Sequence, residues 1–457
     1  MRVYARALDF IDCKWGILHQ PLRAQEKKTI EGKLSSAVQA LKYRNFKLFF
    51  AGQFISLTGN YIQTVAQAWL VYRLTGSAAL LGLVAFSGQI SIFVLAPISG
   101  VVADTKSRRN ILFATQIAPM LLSFTLAVLT LTGRVQVWHV FTIASLLGVV
   151  NAFDFPVRQA FVAELVTKED LMSAVTLNSS MINSARTIGP GIGGLLVASV
   201  GEGWCFLGNA FSYIAVIIGL LMIKAESKPR KPAQHFRAGI AEAFNFVRHT
   251  GPVGALLVLL GLISFMGLRY EILMPVYVRE MLHGGPTQFG LLMGASGIGA
   301  ILGSLILATL GNVRTLGDWV GFAAAGFGGS LILLSISHSF WVSLAVMLLV
   351  GFTMVTQLDA SNTLVQRIVP DEMRGRVMAI WTMMLSGLAP FGSLLVGVLA
   401  QHFTARRTFA AGGMACVMGA MAFGFSLPIL QREARKLIIE RERADGHLVV
   451  RSKNGKP

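Results

Sequence analysis

Apolar residues run along this chain in long blocks separated by short polar segments. Ten windows of 19 or more residues contain no Asp, Glu, Lys or Arg: 48–72, 74–103, 110–133, 135–153, 203–223, 249–268, 281–313, 319–358, 377–405 and 408–431. A bilayer core needs about 20 apolar residues in helical form. The window 319–358 is twice that length and breaks at Ser337-His338-Ser339, giving two spans. A twelfth span runs over 173–200, interrupted only by Arg186. Barrel strands would alternate in polarity and be about half as long. The pattern therefore predicts an all-α integral membrane protein with twelve transmembrane helices.

Composition agrees with this reading. Hydrophobic residues make up 54% and charged residues 14% of 457, against about 25% charged in soluble domains. Mean hydropathy is +0.63. Too little charge is present to coat a soluble globule, and a disordered chain is excluded more strongly. The net charge of +18 forms no basic stripe on a polar domain, so nucleic acid is not the expected partner.

The cations instead report topology. Alternate loops, counted from the N-terminal tail, hold 33 of the 40 Lys and Arg, whereas the other set holds only Arg73, Arg134, Arg279, Arg406 and Arg407. Arg186 and Arg269 lie within spans. By the positive-inside rule both termini are cytoplasmic. Trp138, Trp204 and Trp341 begin three spans on the outer side, where an aromatic belt belongs. The expected organisation is a basic cytoplasmic tail over 1–45, six spans over 46–224 and a cytoplasmic linker over 225–250. Six further spans follow over 251–430, then a second basic cytoplasmic tail over 431–457. No signal peptide opens the chain. Cys13, Cys205 and Cys416 and the eight histidines are scattered, so neither a disulfide framework, a metal site nor a cofactor is expected.

The halves resemble each other. Gly148 and the string Phe161–Asp170 match Gly351 and Thr363–Met373 at an offset of 203, and Pro190 matches Pro390 at 200. Leu81-Gly82-Leu83 answers Phe289-Gly290-Leu291. Parallel six-helix repeats imply a pseudo-two-fold axis along the membrane normal, a substrate path between the halves and alternating access by rocking.

Several motifs resemble the major facilitator superfamily. Gly100-Val-Val-Ala-Asp104-Thr-Lys-Ser-Arg108-Arg109 is similar to its signature G-x-L-A-D-x-x-G-R-[RK], with Val102 for Leu and Ser107 for Gly. Arg186-Thr-Ile-Gly189-Pro190-Gly-Ile-Gly193-Gly194 is similar to the antiporter motif of drug exporters. The segments 44–53, 69–77, 151–161 and 369–377 resemble the bacterial group containing the enterobactin exporter. That group usually carries a Pro-Tyr pair in the seventh span, where this chain has Arg269-Tyr270-Glu271. The resemblance covers roughly 40–430. It implies the major facilitator fold, a bacterial inner membrane, and drug:proton antiport as the relevant activity.

The candidate residues each carry an alternative. Gly100, Asp104, Arg108 and Arg109, with Arg374 and Arg376, are expected to form a cytoplasmic gate, Asp104 facing a helix N-terminus of the other half; otherwise they are ordinary positive-inside charge. The second-half counterpart of Asp104, Asn312, has lost the charge. Gly189, Pro190, Gly193 and Gly194 let helices approach closely and kink the span; preventing leak is a role the resemblance implies. These glycines also fit G-x-G-x-x-G, but a dinucleotide site needs a preceding strand. Arg186, deep in its span, faces the interior or a water-filled cavity, binding an anionic substrate or pairing with a carboxylate.

Glu271 is the candidate coupling carboxylate or substrate contact, since burial raises a carboxyl pKa toward neutrality; the alternative is a solvated residue at the outer mouth. Arg269, at i, i+2 from it, points elsewhere. Asp154 and Arg158, spaced i, i+4, read as a structural pair before a coupling role. Asp359 titrates or caps. Asn60, Gln63 and Gln67 share one helical face that lines the cavity or binds a neighbouring helix.

The leading expectation is a monomeric secondary transporter that exports small amphipathic molecules, siderophore or drug-like, by proton antiport. No P-loop for ATP is present, and no nucleophile–base or metal arrangement points to an enzyme. The alternatives are an uptake carrier or facilitator of the same fold, and a non-transporting scaffold.

Overall fold

The computed structural model describes residues 39–167, 169–223, 236–310 and 316–444. The tails expected over most of 1–45 and after 444, the front of the linker, and Asn312 lie outside the described residues. Helices follow the apolar blocks. They are α1 Arg44–Thr75, α2 Ala78–Thr105, α3 Arg108–Leu131, α4 Val137–Val162, α5 Leu171–Val200 and α6 Glu202–Met222. A linker helix, α7 Phe236–His249, follows. The second set is α8 Gly251–Glu280, α9 Pro286–Leu310, α10 Leu316–Ile336, α11 Phe340–Ile368, α12 running from Asp371 to Phe403, and α13 Ala405–Ala444.

Short polar joints separate these helices. Gly76 ends α1 in a left-handed conformation at φ +58°, its N–H donating to the Tyr72 carbonyl. Ser77 then caps α2 by accepting from the Leu80 N–H. Gly201 ends α5 at φ +86°. Such positive φ values suit a residue without Cβ. Two long helices are not regular throughout: π turns occupy Ile263–Gly267 in α8 and Met383–Gly387 in α12. They lie against each other, and the Ser264 hydroxyl donates to the Leu385 carbonyl at 2.5 Å, occupying an acceptor of the irregular turn.

Among the described residues, ten helices are long and apolar enough to cross a membrane. The other two spans, α1 and α5, are as long but more polar, carrying Asn60, Gln63 and Gln67 in one and Asn178, Asn183 and Arg186 in the other. Both pack inside the bundle. Within the first set α1 touches α5 and α6, α3 touches α4 and α6, and α2 lies on α4. Within the second, α9 packs on α11, and α10 on α11 and α13. The two sets meet chiefly through α5 against α9 and α2 against α12. Trp138, Trp204 and Trp341 are exposed near the starts of α4, α6 and α11, all on the face opposite the linker helix.

Glycines make those two crossings possible, and they repeat. A Cβ on Gly194 would stand 2.8 Å from the Pro286 carbonyl oxygen, with Gly290 closer still. One on Gly397 would stand 2.8 Å from the Ala78 carbonyl oxygen and 2.8 Å from the Gly82 Cα. The pairs Gly194·Gly290 and Gly397·Gly82 are thus the same contact made twice. They set the α5-to-α12 correspondence at 203, the offset of Gly148 and Gly351, and place Ser393 rather than Pro390 opposite Pro190. Gly148 and Gly351 are equivalent in kind too: each meets backbone, at Gly88 and Ser296 respectively.

On the linker face, the start of α1 is clamped to the α4–α5 loop. Ala40 N–H donates to Ser173 Oγ at 3.0 Å, Tyr43 donates to Asp170 at 2.8 Å, and Lys42 pairs with Asp170 at 2.5 Å. The bonds from Lys42 and then Tyr43 hold the Asp170 carboxyl below its ordinary range.

Two predictions follow from these contacts. Gly194→Leu drives a side chain into backbone and should lower stability by about 1–3 kcal/mol. Gly208→Leu, with nothing within 4 Å, should change it by less than about 0.5 kcal/mol. Thermal denaturation in detergent compares them. Because Asp170 titrates lower when folded, its contribution is complete above about pH 4 and disappears as pH falls through that lowered value. The thermal shift between wild type and Asp170→Asn should therefore be constant near neutrality and close only in strong acid.

Candidate functional site: a cavity between the halves

A cavity of about 730 Å3, including the space at its mouth, lies between the two sets of helices. One wall comes from α1, as Tyr61, Thr64, Val65 and Ala68, spaced i, i+3, i+4, i+7 on a single helical face. The α5 wall brings Arg186, Thr187 and Pro190. Opposite stand Glu271 of α8 and Phe289, Met293 and Ser296 of α9, with Met354 of α11. The lining is mostly apolar, with aromatic, thioether and small aliphatic groups, apart from one cation, one carboxylate and a few hydroxyls.

Two charges deep in the membrane region, from different halves, thus share one space. Arg186 is partly buried and donates to Asn183 Oδ1 at 3.1 Å. Glu271 is exposed to the cavity. Among the described residues neither makes an ion pair, with the other or with a third group. A charged group at such depth normally finds a partner or a water-filled cavity. Here the cavity takes that place, and both groups stand free to meet a solute. Tyr61 lies within electrostatic range of both.

Arg269 turns away from this wall. It sits between the π turn and the following helix, and its Nη1 donates to Gln89 Oε1 of α2 at 3.3 Å. Its Nε is buried without a partner. Asp359 accepts from Ser304 Oγ at 2.5 Å and lies within electrostatic range of Arg186.

The remaining polar residues of the first half bind one another. Asp154 is buried, accepts from Thr115 at 2.8 Å and Gln116 at 2.9 Å, and faces Arg158 Nε at 3.4 Å. Arg158 continues to Gln53 Oε1 at 3.2 Å. This network ties α1, α3 and α4 together. The Asn60–Gln63–Gln67 face turns toward α6 instead of the cavity: Asn209 donates to Gln63 Oε1 at 2.7 Å and to Asn60 Oδ1 at 3.2 Å, and Tyr213 donates to Asn60 at 2.5 Å. Gln67 is partly buried and makes no hydrogen bond among the described residues. The cavity face of α1 begins one residue further on, at Tyr61.

The glycine-proline motif packs. Cβ atoms at Gly189 and Gly193 would collide with Tyr61 and Ile62 of α1, and Pro190 reaches the cavity. On the linker face, Gly100 has open space around it, and Asp104 occupies the last turn of α2, its side chain outside the described residues. Arg108 pairs with Glu164 at 2.5 Å and Arg109 donates to the Leu220 carbonyl at 2.9 Å, both within the first half. The second contact puts a cation on the C-terminal carbonyls of α6. Arg376 pairs with Glu242 of α7 at 2.5 Å in an exposed bridge, and Arg374 is partly buried. The contacts seen for Arg108, Arg109 and Arg376 stay within the first half or reach the linker helix.

Residues 35–452 match the family described as transmembrane secretion effector, a division of the major facilitator superfamily. The chain belongs to that superfamily. As a major facilitator protein it is 28% identical to the staphyloferrin A transporter of Staphylococcus aureus, over 83% of this chain and 95% of that one. It is 27% identical to the multidrug efflux pump Tap of Mycolicibacterium fortuitum, over 77% and 88%. It is 24% identical to the enterobactin exporter EntS of Citrobacter koseri, over 86% and 92%. Among solved structures, an inward-facing, unoccupied bacterial homologue of the lysosomal transporter Spinster superposes with a TM-score of 0.66 at 13% identity, covering 87% of this chain and 98% of that one. The protein is a multi-pass membrane transporter whose relatives include efflux systems, and those relatives are transporters, not enzymes.

Tyr61, Phe289, Met293 and Met354 are cavity residues that sequence reading missed. Phe289 alone carried a signal, as the residue before the repeated Gly82/Gly290. The two buried networks and the cavity make different stability predictions. Asp154→Ala leaves Arg158 buried without its counter-charge and should cost about 3–5 kcal/mol. Glu271→Gln, whose carboxylate has no partner, should stay within about 0.5 kcal/mol of wild type. Chemical denaturation of both variants in detergent checks the contrast.

Proposed function

We propose that this transporter exports small amphipathic molecules from the cytoplasm by proton antiport, with Glu271 as the coupling carboxylate and Arg186 as a substrate contact. The observation that carries this reading is the pair itself. A cation and a carboxylate from opposite halves line one apolar cavity, and neither is neutralised by protein. A carboxylate without a fixed partner can exchange its proton with water from either side as the halves rock. The aromatic and Met lining suits an adaptable apolar body. Siderophore-like or drug-like substrates are the classes that the relatives handle.

Orientation follows from charge: the face bearing the termini and linker is taken as cytoplasmic. Helices 46–224 and 251–430 act as the two rocking units. Closure of the cytoplasmic mouth would carry the Gly100–Arg109 loop, at the end of α2, toward the N-terminus of α12 with Arg374 and Arg376. Asp104, the acid of the signature motif, is the residue we assign to that helix end.

The test is transport in proteoliposomes with an acidic lumen and a lumenal pH dye, adding a cationic drug, a macrolide and a catecholate siderophore in turn. Substrate-triggered alkalinisation, abolished in Glu271→Gln, is the expected result. Labelled substrate that equilibrates without a pH response would replace antiport with facilitated transport. An unchanged pH response in Glu271→Gln would remove that residue from coupling.

A further inference from the structure

Apart from the Arg269–Gln89 bond midway along α8 and α2, the hydrogen bonds seen between the two halves among the described residues lie on the face opposite the linker. Tyr72, near the end of α1, donates to Glu280 Oε1, at the end of α8, at 2.7 Å. Gln401 of α12 accepts from Ser77 Oγ at 2.9 Å at the start of α2. One turn inward from Tyr72, the Trp69 ring stacks on Phe289 of α9, centroids 6.1 Å apart and planes 23° off parallel. Phe289 is also a wall of the central cavity. The neighbour of Tyr72, Arg73, is engaged within its own half, with Glu202 at 2.8 Å.

We propose that Trp69, Tyr72, Phe289 and Glu280 are the outer gate of the transporter, built as two layers. Trp69 and Tyr72 are three residues apart on one face of α1, so both turn toward the second half. The inner layer is the Trp69·Phe289 stack, which roofs the cavity. Its separation and tilt fall within the favourable range for aromatic pairs. The outer layer is a phenol donating to a carboxylate, a charge-assisted bond stronger than a neutral one. The α1 helix places the two layers about 4.5 Å apart along its axis, three residues of rise.

Solute in the cavity meets the gate through Phe289, which touches both. Leaving toward the outside requires the stack to part and the Tyr72–Glu280 bond to break together, since each joins α1 to the second half. The inner ends of the same helices carry no counterpart among the described residues. Ile98 of α2 and Met172 and Val175 of α5 are exposed there.

Spin labels on exposed Arg134 and His338, which lie in loops of opposite halves on the outer face, read the gate as a distance. The background is Cys13→Ser, because Cys205 and Cys416 are buried. Electron–electron resonance on the full chain in nanodiscs should show one dominant short distance. Tyr72→Phe and Trp69→Ala should each raise the population of a longer distance, at least about tenfold for the loss of a bond to a charged acceptor. Arg73→Gln, which breaks a bond inside one half, should leave the distribution unchanged. The proposal is overturned if both gate variants keep the wild-type distribution, or if Arg73→Gln shifts it as far as they do. Neither readout uses substrate or a proton gradient, so failure here leaves the transport reading standing, and failure of proton coupling leaves the gate standing.

Discussion

The bare backbone at two helix crossings sets the geometry of everything between the halves. In a bilayer, lipid tails are as apolar as leucine, so helices associate by close packing rather than by the hydrophobic effect. Where α5 meets α9 and α2 meets α12, Gly194, Gly290, Gly82 and Gly397 supply no side chain to hold the helices apart. Contact at those points, both toward the face opposite the linker, brings the halves together there. The cavity is the space left below. The Trp69·Phe289 stack lies on the same side of the cavity as these crossings, with Phe289 next to Gly290 in sequence.

Polar groups in the spans divide into two kinds, and the division separates architecture from transport. Asp154, Arg158, Gln53, Thr115 and Gln116 bind one another within the first half, as do Asn60, Gln63, Asn209 and Tyr213. In hydrocarbon an unsatisfied polar group costs several kcal/mol, so these networks fix which helices neighbour which. Arg186 and Glu271 do the opposite. Among the described residues neither forms an ion pair, and both line the cavity, where water or solute can supply a counter-charge. Stability offers no reason for such an arrangement, and a changing guest does.

Much of this was legible in the sequence. Twelve spans followed from the spacing of charges, and the half-repeat followed from Gly148 and Gly351. Depth points Arg186 toward the interior, whereas Glu271, in the outer half of its span, reads from sequence equally well as a solvated residue at the mouth. What sequence could not resolve was the rotation of α1. Asn60, Gln63 and Gln67 mark one face, Tyr61, Thr64 and Ala68 the next, and an angle of about 100° separates them. Polarity alone favours the first for the cavity, yet Asn209 and Tyr213 of α6 claim it, and α6 reads as a plain apolar span. The Pro190–Pro390 alignment failed by three residues for a related reason. Proline marks where a helix bends, whereas the glycines mark where it touches its partner, and only the contact is repeated by the two-fold axis. The Tyr72–Glu280 pair is 208 residues apart, beyond any periodicity.

The duplication preserves backbone contacts more faithfully than chemistry, and this locates the asymmetry that transport needs. The offset of 203 places Gln357 at the position of Asp154. Asp154 is bonded on three sides, whereas Gln357, 1% exposed, has no hydrogen bond to either atom of its amide among the described residues. The first half therefore carries a buried ion pair at its core, and the second a neutral amide beside two helices that both break regularity in π turns. A buried, bonded ion pair resists distortion, whereas irregular turns leave the second half with less to lose on rearranging. Rocking between like units would need equal yielding on both sides. The ion pair makes the first half, which presents Arg186, the stiffer unit, and the π turns make the second half, which presents Glu271, the more deformable one.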